Sequence, residues 1–342
     1  MTTIRYPWET PPENGEMIEI AEGVHWLRLP LPMKLDHVNI YVLDDGDGWT
    51  LIDTGMKSRR VQAMGQAVLE GPLRGKPVKR VVATHHHPDH IGFHGWFVEE
   101  FGAEYVSTQV AYLMGRMLTM DIQERYTEGQ IEFYRRAGMR AELLAARQDE
   151  RPFNFSDIVH PIPIGFTRIE EGDVIEMGGR SWDVRVDHGH APDHATFWSR
   201  DDNLVLCGDQ VIASISSNIG VYPTEPDANP LADWLDSCAR LQNFARADHL
   251  ALPGHKLPFV GMPLRLRQLE ENHHGALTRL RADLKTPKTA GEVMMAVFKR
   301  QIGDGEYGLG LVEALAHCNY LWHAGEVTRS LHQDGAYRWV MN

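Results

Sequence analysis

Short apolar runs separated by turn residues open the chain and predict three strands, Val24 to Leu29, His37 to Leu43 and Trp49 to Ile52. The turn between the last two, Asp44-Asp45-Gly46-Asp47-Gly48, has the punctuation of a hairpin, so the beginning reads as a β-meander. The period then changes. Arg59 to Leu69 repeats its apolar positions at helical spacing, Val78 to Ala83 reads as a buried strand, and His90 to Phe101 reads as the helix after it, a β-α-β-α passage. Gln109 to Gln148 is helical in pattern and rich in large apolar groups, among them Tyr112, Leu113, Met117 and Met120. Such helices suit a lid, an apolar substrate wall, or packing against the core or a second subunit. Strand signals resume at Thr167 to Ile169, Val174 to Met177, Trp182 to Val186, Thr196 to Trp198 and Leu204 to Leu206, so a second β-rich half mirrors the first. A helix from Asn229 to about Phe244 precedes a strand that ends at Pro253-Gly254-His255. Beyond it, Glu292 to Phe298 and Leu311 to Trp322 read as helices, and Val327 to Leu331 with Gly335 to Val340 as a closing hairpin.

Composition narrows this picture in three respects. A chain of 342 residues suggests one large domain with a smaller one, or two of ordinary size. The formal charge of -13 argues against a broad phosphate-binding surface and therefore against nucleic acid as partner. The first ten residues lack an apolar signal core and no segment has the length to cross a bilayer, which predicts a cytoplasmic protein without membrane attachment. Cys207, Cys238 and Cys318 are odd in number and widely spaced, the pattern of reduced, buried thiols and not of a disulfide framework.

The chemistry concentrates at the ends of the predicted strands. After Val78 to Ala83 comes Thr84-His85-His86-His87-Pro88-Asp89-His90, which crowds four imidazoles and a carboxylate into one loop. Neutral imidazole and ionised carboxylate are natural ligands for zinc and similar divalent ions, and burying so many of them without a metal would leave groups unpaired or mutually repelling. Further candidates follow strands downstream: His190 and His194 in His188-Gly189-His190-Ala191-Pro192-Asp193-His194, Asp209 in Cys207-Gly208-Asp209-Gln210, and His255. Asp53, in Ile52-Asp53-Thr54-Gly55, is placed to hydrogen-bond a metal-binding histidine. His94, four residues past His90, reads as a packing or surface group, as do His273, His274, His317 and His323. Ser216, Asn218 and Tyr222 lie shortly after Asp209 and read as turn residues able to face the pocket.

The ordered set Asp53-x-Gly55, His85-x-His87-x-Asp89-His90, Gly189-His190, Gly208-Asp209 and Pro253-Gly254-His255 resembles the metallo-β-lactamase-fold hydrolases over about the first 260 residues. The resemblance implies an α/β fold, a four-layer αβ/βα sandwich with a two-metal site at one edge. It assigns 1–270 to the catalytic domain with a helical insertion at about 109–150, and 271–342 to a small winged-helix-like C-terminal domain. Carried over by position, His85, His87 and His190 hold one divalent ion, Asp89, His90 and His255 the other, and Asp209 bridges them; His194 falls outside the direct ligands. The metal implied is Zn2+, with Fe or Mn also suited to the donors.

True β-lactamases of this fold generally lack the bridging aspartate, and flavodiiron enzymes carry Glu at the position of His87 together with a flavodoxin domain. The branch it resembles most is the glyoxalase-II-like one with an added C-terminal domain. The leading expectation is therefore a binuclear hydrolase in which hydroxide between two metals attacks a small-molecule ester-type bond, foremost a thioester of acyl-glutathione or acyl-CoA type. Asp209 keeps the metals in register and Asp89 receives or relays a proton. Lactone or ester hydrolysis, a nuclease or phosphodiesterase, and an iron-dependent persulfide dioxygenase are the alternatives. A small-molecule substrate is the expected partner, and the apolar insertion leaves a homodimer open.

Overall fold

Strand alternation decides which layer each side chain joins. The computed structural model describes residues 3–342. The first half runs β1 (Met17–Ala21), β2 (Val24–Pro30), β3 (His37–Asp44), β4 (Trp49–Ile52), α1 (Arg59–Glu70), β5 (Val78–Val82), α2 (Pro88–Ile91), α3 (His94–Phe101) and β6 (Glu104–Ser107). The inserted helices are α4 (Gln109–Met120), α5 (Glu128–Arg136), α6 (Ala141–Asp149) and α7 (Phe155–Ile158), followed by β7 (Thr167–Arg168). The second half comprises β8 (Val174–Met177), β9 (Arg180–Asp187), β10 (His194–Ser199), β11 (Leu204–Gly208), α8 (Pro230–Gln242), β12 (Leu250–Pro253) and β13 (Phe259–Val260). The chain closes with α9 (Met262–Asp283), α10 (Met294–Phe298), α11 (Asp304–His323), β14 (Val327–Leu331) and β15 (Tyr337–Met341).

Among the described residues the strands form a seven-stranded sheet in the order β1-β2-β3-β4-β5-β6-β7, a six-stranded sheet in the order β13-β12-β11-β10-β9-β8, and the β14-β15 hairpin. Neighbouring positions on one strand serve different layers. Val38, Ile40 and Val42 of β3 join the layer beneath α1 and α3, whereas Tyr41 and Leu43 join Trp182, Phe197 and Leu206 of the opposite sheet. On β11, Val205 and Cys207 face outward to Trp234, Leu266 and Leu311 of α8, α9 and α11. Four layers result, helices outside and two sheets inside, because central strands such as β3 and β11 are apolar on both faces.

Several expected boundaries shift. The helix expected from His90 to Phe101 is broken after Ile91, since the His90 carbonyl accepts the Thr54 N–H at 2.7 Å and the Thr54 hydroxyl at 3.1 Å. Gly92 permits that junction, as a Cβ there would lie 2.3 Å from the Gly55 carbonyl oxygen. The run from 109 to 148 divides into three helices, with α7 added. Helix α9 is longer than any element expected there: its buried positions Met262, Leu266, Leu269, His273, Ala276, Leu277 and Leu280 keep helical spacing. The boundary expected at 270/271 falls inside this helix, and one continuous core joins Trp234 of α8 and Leu266 of α9 to Leu311 of α11 and Trp339 of β15.

In the insertion, the inner face of α4 packs at Gly115 against Ile91, Ile162 and His86. Leu113, Met117 and Met120 lie on its opposite, exposed face. No helix among the described residues is long and apolar enough to cross a membrane. The three cysteines are free and buried.

Phe197 is fully buried between the sheets. Its replacement by Ala is expected to lower unfolding stability by about 3–5 kcal/mol, read from urea unfolding of the purified protein.

Candidate metal centre

The ends of β4, β5, β9, β11 and β12 converge at one edge of the sandwich, and each delivers a polar side chain there. Asp53 follows β4 with φ of 62°, a left-handed conformation that few non-glycine residues adopt. It is held there because its carboxylate accepts the Thr84 N–H at 2.9 Å, the Thr84 hydroxyl at 2.8 Å and His90 Nδ1 at 2.7 Å. The loop after β5 is thereby tied to the loop after β4. With its Nδ1 proton donated to Asp53, His90 turns Nε2 inward.

Three groups of side chains bring potential ligand atoms within 4.8 Å of one another: His85, His87 and His190; His85, His90 and Asp209; and Asp89, His90 and His255. All seven expected ligands are thus assembled. Asp209 lies in the middle, with Oδ1 3.5 Å from His90 Nε2 and Oδ2 3.5 Å from His190 Nε2 and 3.2 Å from His255 Nε2. Asp89 Oδ2 lies 3.4 Å from His255 Nε2. His85 Nε2 and His87 Nδ1 face each other at 3.0 Å.

Other groups orient these donors. His190 Nδ1 donates to the Asn218 carbonyl at 2.8 Å, and His255 Nδ1 to the His37 carbonyl at 2.7 Å. His194 is turned the other way: its Nε2 accepts the Asp209 N–H at 2.9 Å and its ring stacks on His85 with centroids 4.6 Å apart. It steadies the backbone of Asp209 and is no member of the three groups. Gly254 provides space, since a Cβ there would lie 2.4 Å from Asp209 Oδ1 and 2.8 Å from His90 Cε1.

The donor set fits a divalent cation on two counts. First, His90 Nε2, His190 Nε2 and Asp209 Oδ1 are buried without hydrogen-bond partners, a costly arrangement for polar atoms that a shared ion resolves. Second, the electrostatics are those of a cation site. Burial, reinforced by neighbouring imidazoles, holds His85 and His87 well below the usual histidine range, so both are neutral donors. Burial also disfavours the charged form of His90 and His255, but Asp209 and Asp89 outweigh it, with Asp53 adding to the effect at His90. His90 is thereby raised well above its ordinary value and His255 is held at about 10. Burial opposes ionisation of Asp209 as well, yet His255 and His90 keep its carboxyl well below the usual range. Protons on His90 and His255 balance the carboxylates in the metal-free protein, and a divalent ion held by these residues would take their place.

The remaining sequence candidates fall outside this cluster. His94 is buried with Nδ1 2.9 Å from the Thr54 hydroxyl. His273 and His317 form a buried pair, Nδ1 to Nε2 at 3.3 Å, and Ser216 lies 3.3 Å from His273 Nε2. His274 is exposed and His323 bonds the Asp227 carbonyl at 2.7 Å. Sequence reasoning missed the carbonyls of His37 and Asn218. Only the nearness of Asn218 to Asp209 in the chain pointed toward either.

Seven inward-turned donors at the edge of a four-layer sandwich define the class as a metal-binding αβ/βα protein. The chain belongs to the metallo-β-lactamase superfamily, whose model matches residues 33–255. A model described as the metallo-β-lactamase-like C-terminal domain matches residues 277–342. A probable metallo-hydrolase of Bacillus subtilis, YqjP, is 26% identical over 88% of this chain and 92% of its own. A β-lactamase domain protein from Burkholderia ambifaria has a solved structure that superposes with a TM-score of 0.91 at 34% identity, over 99% of this chain and 98% of that one. A metallo-β-lactamase family protein of Thermus thermophilus, TTHA1429, superposes with a TM-score of 0.79 at 28% identity, covering 95% and 100%.

Asp53→Ala is expected to weaken zinc binding about 10–100-fold, measured by competition with a chromogenic chelator, because His90 loses the partner that orients it. In the metal-free protein, the raised His255 contributes stability that is complete below about pH 6.5 and is lost as pH rises through about 10. The lowered Asp209 contributes stability that is present above about pH 4 and is lost on acidification. Thermal melts of chelator-treated protein should therefore reach their maximum between these limits, and zinc should raise the melting temperature most on the alkaline side.

Proposed function

We propose that this protein is a binuclear metallohydrolase that cleaves a small-molecule ester-type bond, with a thioester of acyl-glutathione or acyl-CoA type as its preferred substrate. The observation that carries the reading is Asp209, which faces histidines assigned to both ions, His90 through Oδ1 and His190 and His255 through Oδ2. A carboxylate so placed suits a bridge between two ions. His85, His87 and His190 would hold one, and Asp89, His90 and His255 the other. The probable metallo-hydrolases among its relatives support the hydrolytic part of the reading. Zn2+ suits the donors best, with Fe and Mn also accommodated.

When bound there, divalent ions supply Lewis acidity, polarising an acyl oxygen and lowering the pKa of water toward neutrality. The chain's own groups do the rest. His85 and His87 stay neutral and so keep their lone pairs available, while Asp53, Asn218 and His37 fix His90, His190 and His255 in the tautomers that turn Nε2 inward. The side chain of Asp89 is 18% exposed against 9% for Asp209, which supports it as the group that receives or relays a proton. The acidic net charge disfavours a nucleic-acid substrate. The resemblance of the motif set to glyoxalase-II-like hydrolases and the apolar residues of α4 favour an acyl substrate. The exposed face of α4 suits a dimer contact as well as it suits an acyl group. For the C-terminal part, helices α10 and α11 followed by the β14-β15 hairpin support a winged-helix-like arrangement.

Free-thiol release from a panel of glutathione and coenzyme A thioesters tests the proposal. Zinc-loaded protein should release thiol, and Asp209→Ala should lower the rate at least about 100-fold and reduce the bound metal. Full activity of Asp209→Ala at unchanged metal content would sink the binuclear reading. Cleavage confined to lactones or oxygen esters would overturn the thioester assignment alone.

A further inference from the structure

The metal-facing ring of His190 is connected to the C-terminal part of the chain by two successive hydrogen bonds. His190 Nδ1 donates to the Asn218 carbonyl at 2.8 Å, and the Asn218 side-chain amide donates to Glu313 Oε2 on α11 at 2.7 Å. The same amide also reaches the Leu309 carbonyl at 3.2 Å. The loop between Asp209 and Tyr222 touches α11 at further points. The Val221 N–H donates to the Val312 carbonyl at 3.2 Å, and Gly220 is packed so closely that a Cβ would lie 2.9 Å from Val312 Cγ2. Ser217 donates its hydroxyl to the carbonyl of Asp209 itself. On its far side, the Glu313 carbonyl accepts His317 Nδ1 at 2.8 Å, and His317 meets His273, which meets Ser216. The loop is therefore gripped at Ser216 and at Asn218 by side chains from α9 and α11.

We propose that Glu313 is a positioning residue for His190: it holds Asn218, and the Asn218 carbonyl fixes the plane and tautomer of the His190 ring. The C-terminal part thereby aims a ligand of the catalytic centre without touching substrate. This rests on the reading of His190 as a metal ligand. The physical argument is one of direction. An imidazole that donates from Nδ1 to a fixed carbonyl keeps its lone pair on Nε2 and cannot swing out of line, and loss of such an outer partner typically lowers metal affinity about 10–100-fold. Asn218 sits in a loop, outside any helix or strand, so its carbonyl depends on the contacts that hold the loop, and the shorter of its own two side-chain bonds is the one to Glu313. Burial holds the Glu313 carboxyl up at about 7, and in either protonation state it retains an oxygen that accepts the Asn218 amide. Gln at this position supplies the same acceptor.

The experiment uses the full chain, stripped with a chelator and titrated with Co2+, so that affinity and the d–d absorption of the bound ion are read without any substrate. Glu313→Ala is expected to bind cobalt about 10–100-fold more weakly with an altered spectrum, whereas Glu313→Gln should stay within about threefold of the parent and keep its spectrum. Should Glu313→Ala fail to fold, Asn218→Ala cuts the same link while leaving the backbone carbonyl in place, and the same loss is expected. Parental affinity and spectrum in folded Glu313→Ala, or in Asn218→Ala where that variant stands in, would overturn the proposal. So would a Gln variant as impaired as the Ala variant. His190→Ala separates this from the underlying reading: if cobalt binding ignores His190, the ligand assignment is wrong, whatever Glu313 does.

Discussion

Convergence of like groups in a dry place is the constraint from which the rest of the structure follows. His85, His90, His194 and His255 are essentially buried, and Asp209 nearly so, within a few ångströms of one another. Desolvation penalises every charge in that cluster, and only mutual compensation makes it tolerable. Asp209 and Asp89 stay ionised because His90 and His255 are positive beside them, and His85 and His87 stay neutral because burial disfavours their charge and neighbouring imidazoles add to the effect. A cluster so balanced must be held rigidly, and five strand ends supply the rigidity. The two-sheet sandwich is the frame that lets them meet.

The side-chain chemistry of this arrangement was legible in the chain; its backbone chemistry was not. His85, His87, Asp89, His90, His190, Asp209 and His255 stood out because imidazole and carboxylate recur just past apolar runs, and the fold brings all seven together. Asp53 stood out for the same reason and reaches His90. The carbonyls of His37 and Asn218 carried no signal, since every residue has a carbonyl and only tertiary structure decides which one faces a histidine. The break after Ile91 was hidden likewise, because it depends on Thr54 taking the His90 carbonyl away from the helix. Helix α9 escaped notice since the polar run Glu270-Glu271-Asn272-His273-His274 interrupts its apolar stripe, with His273 occupying a core position normally held by an aliphatic group.

Orientation of the donors draws on three separate parts of the chain. Asp53 comes from the first sheet and aligns His90; the His37 carbonyl, on the same sheet, aligns His255 of the other sheet. Asn218 aligns His190 and is itself held by α11. A site at the junction of two β-rich halves is thus braced by groups from each half and by the segment that follows them.

Helix α9 carries a consequence for inheritance. It begins at Met262 beside the last strand of the second sheet and ends at Asp283, just inside the region matched by the C-terminal family model, which starts at residue 277. Its buried side share one core with α8 and α11. The two family segments are therefore not beads joined by a string: replacing the second with an unrelated module would alter the end of α9 and strip the faces of α8 and α9 that pack against α11. Such coupling accords with relatives that align along nearly their whole length.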